Sequence, residues 1–79
     1  MDVKLKIGLR IKALRESAKM SQKDLAYAAD LDRSYIASIE NGRRNVSIVN
    51  IEKIAGALNV NLKEFFSDGE FVKHPRSSR

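Results

Sequence analysis

Gln22–Asn41, QKDLAYAADLDRSYIASIEN, reads as two short helices joined by a tight turn. Ser21 stands three positions before Asp24, the spacing of a capping box, so a helix is predicted to start at Gln22. Leu25, Ala26 and Ala29 fall on one face of it, and the small Ala26 lets a neighbouring helix approach closely. Asp30-Leu31-Asp32 breaks the pattern. Asp32 is a suitable N-cap for the next helix, predicted from Arg33 to about Asn41, whose inner face is Ile36 and Ile39. Asn41-Gly42 stops it, because glycine readily takes the left-handed conformation that ends helices. Leu25, Leu31, Ile36 and Ile39 form the apolar wedge between the two helices.

The same period extends to either side. Ile7, Ile11, Leu14 and Ala18 repeat at i, i+4, i+7 and i+11, which predicts a first helix over Val3–Ala18. Gly42-Arg43-Arg44-Asn45-Val46 is a loop. Ser47 caps a fourth helix with Ile51, Ile54, Ala55 and Leu58 on its inner face, and Asn61 with Glu64 begins a short fifth over Leu62–Phe66. From Ser67 the period is lost, and Asp68-Gly69 and His74-Pro75 punctuate a basic stretch. The expected organisation is an all-α, compact five-helix domain over residues 1–66, followed by a flexible tail over 67–79. No strand alternation or internal repeat interrupts this reading.

The 79 residues allow one small domain. With 43% apolar and 32% charged residues the chain is too apolar for full disorder. It has no cysteine, which excludes a disulfide scaffold or a cysteine-rich zinc site. No apolar run approaches the roughly 18 residues of a membrane span, and the N-terminus lacks a signal-peptide core. A cytoplasmic protein is expected. The formal charge of +5 favours polyanionic partners, nucleic acid or an acidic membrane surface. Catalysis lacks its parts: the one histidine, His74, has no partner set, and the four glycines form no phosphate loop. Neither an enzyme nor a cofactor is expected.

Two short helices joined by a turn of three to four residues make a helix-turn-helix unit. Met20-Ser21-Gln22-Lys23-Asp24-Leu25-Ala26 and Ile36-Ala37-Ser38-Ile39-Glu40-Asn41-Gly42 resemble the core of lambdoid phage repressors and their bacterial relatives, over roughly Ile7 to Phe66. Within that family, Leu31-Asp32-Arg33-Ser34-Tyr35-Ile36 and Arg44-Asn45 resemble the controller proteins of restriction–modification systems. The resemblance implies sequence-specific regulation of transcription at a pseudo-palindromic DNA operator, with autoregulation, and RNA polymerase as a possible further partner.

On this reading the outward positions of the third helix, Arg33, Ser34, Ala37 and Ser38, are the base readers. Arg33 can pair bidentately with guanine, and Ala37 can touch a thymine methyl. An arginine at a helix N-terminus runs against the macrodipole, which favours a functional reason for it. The resemblance implies a phosphate contact for Gln22, assisted by the helix N-terminus. It also places the loop residues Arg43, Arg44 and Asn45 against the DNA backbone, the alternative being a solvated basic loop. Tyr35 is open between a backbone contact and a half-buried scaffold role. Arg15 and Glu40 match an ion pair that holds the third helix to the first.

A single module buries only about 600–1,000 Å² on DNA, so a monomer is expected to bind weakly. A homodimer places two such helices in successive major grooves, about 34–36 Å apart. Val49, Val60, Leu62, Phe65 and Phe66 are the expected two-fold patch, one phenylalanine serving the seam and the other the core. Within the DNA-binding reading the alternative is a phage-type repressor or antitoxin. Two readings from other classes remain: an antitoxin whose helix surface or tail grips a toxin, and a basic helical peptide for RNA or membranes. The lack of aromatic stacking platforms and the periodic core weigh against the latter.

Overall fold

The backbone ends each helix by a local device, and those devices set the architecture. In this computed structural model residues 2–68 and 71 are described. Helices α1 (Val3–Ser17), α2 (Gln22–Ala29), α3 (Arg33–Glu40), α4 (Ile48–Ala57) and α5 (Leu62–Phe65) follow in order, with no strand among the described residues. The expected all-α, five-helix arrangement is the one found. Of the expected tail, Ser67, Asp68 and Phe71 are described, and the Phe71 ring meets Phe66 edge-on at 5.2 Å. The remainder, with His74 and Pro75, lies outside the described residues.

Asp2, Ser21, Ser47 and Asn61 each accept a backbone N–H of the first turn of their helix, and Ser21–Asp24 and Asn61–Glu64 are reciprocal capping boxes. Asp32 occupies the N-cap of α3 but makes no side-chain capping bond. Its carboxylate accepts instead from the Ser34 hydroxyl, at a stretched 3.4 Å.

The first four helices stop the same way. Lys19, Asp30, Gly42 and Asn59 take positive φ between 58° and 72°. The next N–H then returns to a carbonyl of the last turn: Met20 to Arg15, Leu31 to Ala26, Arg43 to Ser38 and Val60 to Ala55. Met20, Leu31 and Val60 close their turns by packing on the core. The equivalent residue after α3 is the exposed Arg43. The chain leaving α3 is thus held by backbone bonds while its side chain faces solvent.

Ile11, Leu25, Ile36, Ile39, Ile54 and Phe65 are the large, fully buried side chains. The principal packings run α1 on α3, α3 on α2, α2 on α4 and α4 on α5. Gly8 is what lets α1 reach α3: a Cβ there would collide with the Ile39 carbonyl oxygen and lie 2.8 Å from that of Glu40. Ala18, expected on the inner face of α1, is exposed, because the helix ends at Ser17 and turns at Lys19.

Phe65, expected in the two-fold patch, lies in the core of the protomer. It has no exposed surface, and it is the only fully buried side chain of a four-residue helix. Burial of that size contributes about 1.5–3 kcal/mol, which α5 needs because so short a helix is unstable alone. Phe66, Val60 and Leu62 are half-buried against the core, while Val49 is 59% exposed.

Candidate DNA interface

Arg33 and Ser34 are exposed on the first turn of α3, and Ala37 and Ser38 are half-buried one turn on. The outward face is therefore most open at the N-terminal end of the helix, where an arginine fork has free reach. Arg43, Arg44 and Asn45 are exposed just past its C-terminal end.

Tyr35 joins these two regions. It is half-buried, its hydroxyl accepts a hydrogen bond from Asn50 Nδ2 at 2.9 Å, and the Arg44 guanidinium lies 5.0 Å from the ring centre. A cation over a ring face at this distance is attracted by the ring quadrupole, which restrains the Arg44 side chain. Because Asn50 supplies the proton of that bond, the Tyr35 O–H remains free to donate. Leu31, Asp32, Ser34, Tyr35, Arg44 and Asn50 line a shallow cleft of about 300 Å³. Asn50 was not evident as a site residue from the sequence. The available signal was a polar residue between Val49 and Ile51 in an otherwise apolar first turn.

Behind α3 lies an ionic anchor. Arg15 donates from Nε and Nη2 to the two oxygens of Glu40, at 2.7 and 3.0 Å, and from Nη1 to the Met20 carbonyl at 2.8 Å. The side chains are only 11% and 3% exposed. The hydrogen bond to Glu40 raises the Arg15 pKa above its ordinary value, so the guanidinium stays charged. Gln22 Nε2 donates to the same carboxylate at 3.1 Å. Gln22, expected to face a phosphate, is therefore half-buried and tied to this anchor. No buried side-chain polar atom lacks a partner among the described residues.

Nothing among the described residues gathers His, Cys, Asp or Glu into a metal site, and no described helix is long and apolar enough to cross a membrane. Small or cationic side chains on one short helix, a basic loop beside it and a buried anchor behind it are an arrangement for contacting a polyanion groove.

The chain belongs to the helix-turn-helix family, whose pattern matches residues 11–65. Its branch of that family is the controller proteins of restriction–modification systems, which are regulators and not enzymes. It is 51% identical over 70 residues to the control protein C.MunI of a Mycoplasma species, covering 87% of this chain and 95% of that one. The crystal structure of the controller protein C.AhdI from Aeromonas hydrophila is 46% identical, with a TM-score of 0.77 over 80% of this chain and 96% of that one. The controller C.Esp1396I, solved as a tetramer on its natural 35-base-pair operator, is 39% identical with a TM-score of 0.79, over 84% of this chain and 87% of that one.

Proposed function

We propose that this chain is a cytoplasmic, autoregulatory controller that binds a pseudo-palindromic operator as a homodimer. The observation that carries the reading is the pairing of an open α3 N-terminus, with Arg33 and Ser34 exposed, with the buried Arg15–Glu40 anchor behind the same helix. An exposed reader on a fixed support loses little order when it enters a groove.

In this assignment Arg33, Ser34, Ala37 and Ser38 meet base edges. Gln22, Tyr35, Arg43, Arg44 and Asn45 meet the backbone, Tyr35 through its free O–H. Val49, Val60, Leu62 and Phe66 form the two-fold seam. Val49 brings the most exposed apolar surface of the four, and Phe66 replaces the core residue Phe65 as the aromatic member. RNA polymerase is the further partner this reading assigns to the bound dimer.

Binding to DNA selected by this chain from a random duplex pool tests the reading. Counterion release makes log K fall with log salt at about −0.9 per phosphate contact. A slope of magnitude above about 2 is expected, with selected DNA outcompeting random DNA by orders of magnitude. Equal competition by both would leave a generic basic protein and overturn the proposal.

A further inference from the structure

Arg10 makes a contact that the reading of α3 does not use. From α1 it donates Nε to the Phe65 carbonyl and Nη2 to the Glu64 carbonyl, both at 2.7 Å, across 55 and 54 residues of chain. These are C-terminal carbonyls of α5, at the end where a helix presents negative dipole and carbonyls without intrahelical partners; that of Glu64 also accepts the Ser67 N–H at 3.2 Å. Two charge-assisted bonds in a fixed fork restrain position as well as distance.

The consequence comes from the order of packing. The principal helix contacts form an open series, α1–α3–α2–α4–α5, in which α5 is joined to the rest chiefly through α4. Arg10 closes the series by bonding α5 back to α1, the helix that carries α3 through Gly8 and Arg15. α5 has four residues and one fully buried side chain, so its tilt is weakly determined without that clamp.

We infer that Arg10 is a positioning residue that fixes the α5 end of the two-fold seam, Leu62 and Phe66, relative to the recognition helix and to Val49 on α4, and so sets the half-site spacing the dimer accepts. This rests on the assignment of the seam to Val49, Leu62 and their neighbours. A seam held at a fixed angle on each protomer places the two α3 helices at one separation. A seam that rocks accepts several.

The test uses the full chain with Arg10→Met, which keeps the stem and removes both donors, and Arg10→Lys, which keeps the charge without the planar fork. Val49→Asp and Leu62→Asp serve as seam controls, with circular dichroism to confirm that each is helical. Dimerisation is read by sedimentation without DNA. Binding is then read on the palindrome selected by the wild-type chain, and on duplexes with half-sites moved one base pair closer or further apart.

Arg10→Met is expected to weaken dimerisation about tenfold, the scale of losing charged hydrogen bonds. It should also shrink the penalty for altered spacing several-fold, with Arg10→Lys between it and wild type. An unchanged spacing penalty, with affinity lowered equally on all three duplexes, overturns the inference and leaves Arg10 a stabilising residue only. Seam variants that still dimerise like wild type overturn the seam assignment, and the inference with it. Seam variants that turn monomeric beside an Arg10→Met chain identical to wild type overturn the inference alone.

Discussion

Glu40, at the last turn of the recognition helix, takes both prongs of the Arg15 guanidinium at 2.7 and 3.0 Å and is 5% exposed. Removing one partner leaves a buried charge uncompensated, so Arg15→Met is expected to cost about 3–5 kcal/mol in urea unfolding. The double replacement Arg15→Met with Glu40→Leu should recover most of that, because neither charge then needs solvation. If the double variant is as unstable as the single one, the pair contributes packing rather than charge compensation.

Two glycines separate packing from propensity. Gly8→Ala puts a methyl group against the Ile39 and Glu40 carbonyls of α3, so it should destabilise by about 1–3 kcal/mol or more and weaken DNA binding with it. Gly56, in α4, has open space where a methyl group would stand, so Gly56→Ala should stabilise by about 0.5–1 kcal/mol. A Gly8→Ala melt that shifts upward together with that of Gly56→Ala would contradict the α1–α3 contact.

Asp24 is held below its ordinary pKa of 3.8, first by the Ser21 backbone N–H and then by the Ser21 hydroxyl. A carboxylate whose folded value is depressed adds stability above its unfolded pKa and loses it as pH falls through the folded one. Asp24→Asn keeps an acceptor without the charge. Its stability deficit relative to wild type should thus be constant from neutral pH down to about 5 and shrink on acidification through and below the ordinary carboxylate range. A deficit that does not vary with pH would place the capping effect outside the ionised carboxylate.

Most of the fold was legible because its signals are local. The helix starts at Ser21, Ser47 and Asn61 follow from one side chain and one spacing, and Ile36 and Ile39 report their own face. The features that were not legible depend on two distant segments meeting. Arg10 looks like any surface arginine until the end of α5 arrives beside it. Phe65 and Phe66 are adjacent and chemically identical, and only the path of α5 sends one into the core. Gly8 did carry a hint, since glycine inside an apolar helical stripe often marks a close approach. Lys19 and Asp30 end helices without the glycine that marks Gly42, so backbone bonds rather than residue type set those turns.

The central claim is that α3 reads bases while the loop after it holds the backbone. Arg33→Ala and Arg44→Ala remove the same charge, so affinity on random DNA alone does not separate them. The deciding measurement compares both variants on the selected operator, on its single-base variants and on random DNA, at two salt concentrations. Arg33→Ala should cost roughly 1–3 kcal/mol on the operator and relax preference at one symmetric pair of positions. Arg44→Ala should weaken all DNA alike and flatten the salt slope by about one unit. If Arg33→Ala instead weakens every DNA equally and Arg44→Ala alters base preference, the reader is the loop and α3 does not lie in the groove.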